Sequence, residues 1–382
     1  MKKPITIRFS TSSPQAYLIR FTPGSKGLWG DFRFIVDEPV RTADWWVVLD
    51  NVVEKQTTQC PPENTLLVTH ETENIKRYDQ KFIDQFNWVI TCQRDMKHPR
   101  KIYTQQAHLW HVGWLGSGSG VDPKERKNLL VTYDKLSAIT QIEKTGLLAN
   151  VTSYKSRTSG QAMRREFLGK VKEHFGNRFH MFGAGIEHIR DKWDGIAPYR
   201  YYLAIDNSYI EDYWTSNLAD AYLGGAYPIY YGHPSVFNYF SKDALTLIDI
   251  HDVEESIKTI EKVVQENYYE KHLKDIWEAR RLVLDKYNIF ALIADTIASL
   301  PQGNTPRQIT LNPEYKPVFK KRLIEIINKV PLLNVVAKKI HHAYRGKLVG
   351  AAAEEEKKQE QWLHYLKKVE EDKKNKFASH EL

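Results

Sequence analysis

A chain of 382 residues, 42% hydrophobic and 27% charged, is long enough for two ordinary domains and a tail, and apolar enough to give each a buried core. Its two cysteines, Cys60 and Cys92, exclude a disulfide framework and fit a reducing compartment, and no run of about 18 apolar residues offers a spanning helix. The net charge of +8 is concentrated near the end: residues 311–350 hold nine Lys/Arg against Glu314 and Glu325, so the near-neutral body argues against a nucleic-acid partner.

Met1-Lys2-Lys3-Pro4 leads straight into a strand-like IRF, and no signal peptide is expected. Residues 1–150 read as a first α/β domain, with strands predicted at Ile5–Phe9, Phe32–Val36, Trp46–Leu49, Leu66–Thr69 and Trp88–Thr91. A helical stretch is predicted at Ile75–Phe86, and Glu71 falls just past the fourth strand. Gly113–Gly120 reads as a glycine-rich flexible stretch and Leu129–Tyr133 as a further strand. His108 and His111 are close enough to share a helical face. With no Cys or carboxylate at ligand spacing, they do not make a zinc site.

A second α/β domain is expected over residues 151–300. Val151–Ser153 is extended, Lys155–Gly160 is a polar loop, Ala162–Phe175 is an amphipathic helix, and Phe179–Phe182 is a strand ending in Gly183-Ala184-Gly185. Tyr201–Ile205 is a short apolar and aromatic strand, broken by the turn residues Asp206, Asn207 and Ser208. Thr215 is placed to cap a helix whose face carries Leu218, Ala219, Tyr222 and Leu223. Gly224-Gly225 ends that helix, and Tyr227–Tyr231 is the next strand. A polar loop at the carboxyl end of such a strand is where ligands sit in open parallel sheets. Leu245–Ile248 reads as a strand, Val253–Asn267 as a helix, and Tyr268 to about Leu300 as continued helix. Residues 301–382 read as a tail with a basic amphipathic helix (318–340, interrupted at Pro331) and a highly charged end. The simplest architecture is α/β, two doubly wound Rossmann-like domains facing a cleft, followed by a helical tail.

Several of these segments, in order, resemble the signature of family 10 glycosyltransferases, the α-1,3/4-fucosyltransferases of bacterial type. Ile205-Asp206-Asn207-Ser208, then Asp212-Tyr213-Trp214-Thr215-Ser216-Asn217-Leu218, then Pro228 to Gly232 follow the family's donor-side pattern. Thr152-Ser153-Tyr154-Lys155 is similar to its Ser-Ser-Asn-Lys turn, and Arg164-Arg165 to the start of its Arg-rich helix. Phe182-Gly183-Ala184-Gly185 is similar to its Phe-Gly-Arg-Gly. Asp191 to Gly195 also fits, and His70-Glu71 through Tyr78 resembles its first-domain segment. The chain departs from the pattern at three places: the family's Glu-Lys pair is Ser216-Asn217, its Arg between glycines is Ala184, and its Glu-Asn-Ser begins with Asp206.

The resemblance implies a GT-B-like enzyme that transfers fucose from GDP-fucose to a glycan acceptor, of the lipopolysaccharide or capsule kind, with inversion. It implies Glu71 as catalytic base, and Lys155, Arg164, Arg165, Asp206, Asn207, Tyr213, Thr215, Ser216 and Asn217 as the donor-binding set. The chain has no Asp-x-Asp motif, so no metal and no cofactor beyond the nucleotide sugar is expected. Two alternatives stay open: the same fold with a different nucleotide sugar, or a non-catalytic glycan-binding relative. Residues 318–347 are expected to lie against an anionic membrane surface, which would place the protein in the cytoplasm, peripheral to the inner face of the membrane. The sequence leaves the oligomeric state open.

Overall fold

The computed structural model describes residues 3–12, 16–107, 109–114, 131–152, 159–183 and 186–314. The basic tail (318–347) and Lys155 lie outside the described residues.

The first sheet is built from β1 (Ile5–Thr11), β2 (Leu28–Trp29), β3 (Phe32–Val36) and β4 (Trp45–Leu49), then β6 (Thr65–Val68), β7 (Trp88–Thr91) and β8 (Lys101–Tyr103), with β5 (Gln56–Cys60) set apart from it. Its order is β2-β3-β1-β4-β6-β7-β8, parallel throughout except at the β2–β3 edge. Every residue of β4, Trp-Trp-Val-Val-Leu, is buried, as a central parallel strand covered on both faces requires. Period-two alternation sends Trp45, Val47 and Leu49 to one face, and Trp46 and Val48 to the other against Phe82.

The second sheet holds β9 (Gly146–Val151), β10 (Phe179–Phe182), β11 (Tyr199–Ile205), β12 (Tyr227–Tyr231) and β13 (Thr246–Leu247), in the order β10-β9-β11-β12-β13, all parallel. In order of succession this is a 2-1-3-4-5 doubly wound sheet. Its topological switch point, where ligands bind, lies between β9 and β11. The helices, in chain order, are α1 (Gln80–Ile83), α2 (Tyr133–Ser137), α3 (Ser159–Phe175), α4 (Ser216–Leu223), α5 (Val253–Gln265), α6 (Tyr268–Lys271), α7 (Leu273–Asp285) and α8 (Ile289–Ser299). Tyr201, Leu203 and Ile205 of β11 face α3 and α5, while Tyr202 and Ala204 face α4 and α7.

Four local expectations change. Thr132 and Tyr133, expected at the end of a strand, open a helix instead: Thr132 accepts a hydrogen bond from Lys135 N and caps α2, which starts at Tyr133, while Leu129 and Leu130 lie outside the described residues. The helix expected at Ile75–Phe86 is reduced to the single turn α1, capped by Asp79. The second sheet begins at Gly146, ahead of the expected Val151. The helix expected from Tyr268 to Leu300 is three helices, the last restarted by the Asn288 side chain accepting from Phe290 N.

The division at residue 300 also shifts, because the chain returns to the first domain. Phe290 of α8 packs edge-on against Phe34 (4.9 Å between ring centres) and Phe9 (5.9 Å). Beyond it, β14 (Arg307–Leu311) pairs antiparallel with β5. Residues 301–314 are therefore first-domain structure. β14 covers an edge of β5 that would otherwise expose unpaired backbone.

Candidate functional site

The loop between β11 and α4 is fastened at both ends by one carboxylate. Asp206, fully buried, accepts hydrogen bonds from Thr215 N (3.2 Å), the Thr215 hydroxyl, Tyr230 Oη (2.7 Å) and Asn217 Nδ2 (3.4 Å). Burial raises its pKa, and these donors oppose the rise. Thr215 Oγ1 accepts from Asn217 N at 3.1 Å and caps α4, as its position predicts. Asn217 Nδ2 also donates to the Ile205 carbonyl at 3.0 Å. Asp206, Thr215 and Asn217 thus tie the end of β11 to the start of α4, and both Asp206 oxygens are occupied in doing so.

Arg164 enters this loop from α3. Its Nη1 donates to Asn207 Oδ1 at 2.9 Å, which puts a guanidinium at the β9/β11 switch point. Burial lowers its pKa, and the nearby Tyr202 and Asp206 oppose that shift. Arg165 is the next residue of α3, half-buried and about 100° further round the axis. Gly183, from the Phe-Gly-x-Gly segment, has φ +131°, and a Cβ there would lie 1.7 Å from the Thr152 carbonyl oxygen. No other residue fits at that position without moving the end of β9.

Glu71 faces this loop from the first domain. It follows β6, and its backbone carbonyl accepts from Gln93 Nε2 at 2.8 Å, with the same amide reaching Lys76 O at 2.9 Å. The Tyr213 hydroxyl donates to the Glu71 carboxylate. Burial, then the negative charge of Asp50, raises the Glu71 pKa; Lys76 and the Tyr213 bond pull it back. The neighbouring His70 imidazole is pushed by burial down to about 4, so it stays neutral and gives Glu71 no adjacent cation at neutral pH. Two more contacts join the same segments: Thr72 Oγ1 lies 3.2 Å from Ser208 Oγ, and Arg94 pairs with Asp212, which is held at φ +60°.

A second cross-domain network surrounds α4. Asp220, 0% exposed, accepts from His111 N (3.0 Å) and Val112 N (3.1 Å), and pairs with Lys192 Nζ at 2.9 Å. Lys192 also reaches Asn217 Oδ1 at 3.2 Å. Burial disfavours the charge of Lys192, but Asp220, with Tyr202 and Asp206 behind it, lifts its pKa above the usual lysine value. Ser216 Oγ lies 2.8 Å from His111 Nδ1. His111 therefore belongs to this network, in a non-helical segment. The structure brings Glu71, Arg164, Asp206, Asn207, Tyr213, Thr215, Ser216 and Asn217 into one inter-domain region. It adds Lys192, which lies in the Asp191–Gly195 segment that fits the family pattern, and Asp220, signalled by an aspartate in the apolar run Leu218–Leu223.

Residues 142–287 match the family model described as glycosyltransferase family 10 (fucosyltransferase), C-terminal. No curated protein matches the chain by sequence. Among solved structures, an α1,3-fucosyltransferase with GDP is similar at 15% identity and TM-score 0.42, covering 76% of this chain and 93% of that one. Anabaena HepE in complex with UDP-glucose is similar at 10% identity and TM-score 0.42, covering 78% and 100%. TarM is similar at 11% identity and TM-score 0.38, covering 76% and 54%. Likenesses this distant carry no donor sugar over to this chain. The family match spans the whole second sheet with its switch-point loop, so residues 142–287 form a domain similar to the C-terminal domain of glycosyltransferase family 10, the fucosyltransferase family.

Proposed function

We propose that the chain transfers fucose from GDP-fucose, with inversion, to a hydroxyl of a glycan of the lipopolysaccharide or capsule kind. The observation that carries this reading is the Glu71 carboxylate. It sits across from the loop between β11 and α4, its proton affinity raised by burial, in hydrogen-bond contact with Tyr213 of the donor motif. A base is most effective when its pKa approaches the working pH. Glu71 removes the proton of the acceptor hydroxyl as its oxygen attacks the fucosyl carbon from the face opposite GDP. The departing diphosphate gathers negative charge, and Arg164, Arg165 and Lys155, with the amino end of α4, receive it. Replacing Arg164 by Ala is expected to weaken GDP binding roughly tenfold to a hundredfold, because a hydrogen bond to a charged group is worth about 1.5–3 kcal/mol. Calorimetry with GDP reads this directly.

A second reading, a different nucleotide sugar, is favoured by the surroundings of Ser216 and Asn217. In place of the family's Glu-Lys pair, these side chains bond His111 and Lys192. A lysine at 217 would bring a second ammonium beside Lys192, so the charge around the donor is arranged differently from the family pattern. Titration with GDP, GDP-fucose, UDP and UDP-glucose separates the two. Micromolar GDP with weaker UDP supports fucose transfer, and a UDP preference would sink it in favour of the second reading.

We also propose that residues 318–347, by their basic and amphipathic sequence, hold the protein on the inner face of an anionic membrane. Deleting residues 318–382 should abolish sedimentation with phosphatidylserine vesicles while leaving GDP affinity intact. Unchanged sedimentation would refute the anchoring role.

A further inference from the structure

At the far end of the second sheet from the Asp206 loop, three separate pieces of chain bring metal-ligating side chains together. Asp243 lies in the turn Lys242–Ala244, just before β13. His272 joins α6 to α7, and Asp275 lies in the first turn of α7. One oxygen or nitrogen from each lies within 4.8 Å of the other two. Thr246 of β13 pairs with Ile229 of β12, so the group sits at the amino ends of these parallel strands. The switch-point loop is at the carboxyl ends, and the group is independent of the proposed transfer reaction.

The imidazole is set in place before any ion arrives. Its centre lies 5.2 Å from that of the Tyr268 ring and 5.9 Å from that of Tyr227. His272 occupies the position before α7, yet its side chain makes no capping bond. Its Nδ1 instead points to Asp275 Oδ2, 3.8 Å away, across the i,i+3 spacing that puts two residues on one helix face. The Tyr227 hydroxyl is engaged by Thr246 Oγ1 at 2.9 Å and is not a fourth ligand.

No cation of the protein neutralises the two carboxylates. Asp243 is exposed, and its carboxylate makes no hydrogen bond or ion pair among the described residues. Lys271 Nζ lies over the Tyr268 ring, 5.8 Å from its centre, and neither Lys242 nor Lys274 pairs with Asp243 or Asp275 among the described residues. Two carboxylates this close repel each other, and a divalent ion between them reverses the sign of that interaction. With a neutral imidazole the set carries a charge of −2, which a divalent ion balances. Mg²⁺ and Ca²⁺ prefer sets made wholly of oxygen, whereas a mixed nitrogen and oxygen set suits zinc and its first-row neighbours. Tetrahedral zinc needs ligand atoms about 3.3 Å apart. The exposed Asp243 side chain can close the remaining distance by rotating.

We infer that Asp243, His272 and Asp275 bind a divalent transition-metal ion of the zinc type, with water completing the coordination. The ion fastens the turn before β13 to α7. That helix in turn backs α4, because Arg280 Nε donates to the Leu223 carbonyl at 3.1 Å. The site is structural, and it stabilises the domain in proportion to metal occupancy.

The test is calorimetry with ZnCl₂ and MgCl₂ on the full chain after treatment with EDTA and dialysis, with thermal melts on the same samples. Zinc should bind in the micromolar range and raise the Tm, and magnesium should do neither. Asp243→Asn is the decisive variant, because this exposed carboxylate supports no other contact and its loss leaves the fold intact. It should weaken the zinc site roughly tenfold or more and remove the rise in Tm. His272→Gln should do the same, and should also abolish the visible absorption of Co²⁺ bound in place of zinc. His341→Gln with His342→Gln, in the tail, should leave the site unchanged. The inference is overturned if zinc does not bind, if magnesium binds as tightly, or if Asp243→Asn retains full zinc affinity, which would place the ion on other residues.

Discussion

Glu71→Gln is expected to lower kcat about a hundredfold to ten-thousandfold, the usual range for loss of a positioned base, while GDP affinity stays unchanged. The amide keeps the shape of the side chain and can still accept from Tyr213, so the loss isolates proton removal from positioning. Transfer rates under saturating donor and acceptor, with GDP calorimetry as control, make the measurement. The pH profile gives a second reading of the same group. Burial and Asp50 raise the Glu71 pKa, and a base must be deprotonated to act. The rate should therefore fall as pH drops through a limb lying above the ordinary glutamate range, and Glu71→Gln should abolish that limb. Weakening the field from Asp50 with Asp50→Asn should move the limb to lower pH. Lys76 then loses one partner but keeps Glu314, at 2.9 Å. A limb that stays in place in both variants would assign the base to another residue.

Asp220→Ala is expected to destabilise the fold by about 3–5 kcal/mol, the cost of stranding one half of a buried ion pair. The substitution leaves the Lys192 ammonium largely buried and without its carboxylate, and frees the amides of His111 and Val112. Those amides belong to the first domain and α4 to the second, so the loss also loosens their contact. Urea unfolding monitored by tryptophan fluorescence would show it, with Trp110 on the first-domain side and Trp214 on the second. Replacing the pair together, Asp220→Leu with Lys192→Met, should restore much of the stability, because no uncompensated charge remains. A small effect of Asp220→Ala would mean that water reaches Lys192 and solvates it.

How far the site could be read from sequence depended on how local each interaction is. Thr215 caps α4 through an amide two residues away, and Gly225 at φ +62° ends the helix as its place after Leu223 suggests. Such contacts are written in adjacent residues. The strands followed for the same reason: the run from Tyr199 to Ile205 and the uniformly apolar β4 show period and composition directly. Where the local signal was shared between states, it misled. Leu129–Tyr133 has a strand's composition, but Thr132 can start a helix and does. The apolar run from Ile289 extends a helical pattern, yet Asn288 interrupts it to open a new helix.

The sequence alone thus determined the two doubly wound sheets, the loop from Asp206 to Thr215, and Glu71 at the end of a first-domain strand. Each is set by periodicity, turn chemistry or capping within a few residues. Only the tertiary structure decided that Glu71 meets Tyr213, that Ser216 and Asn217 are engaged by His111 and Lys192, and that α8 and β14 return to the first domain. Those contacts join residues from 25 to more than 250 positions apart. They arise because buried charges and open strand edges must find partners wherever the folded chain brings them, and no local pattern encodes which partner that will be.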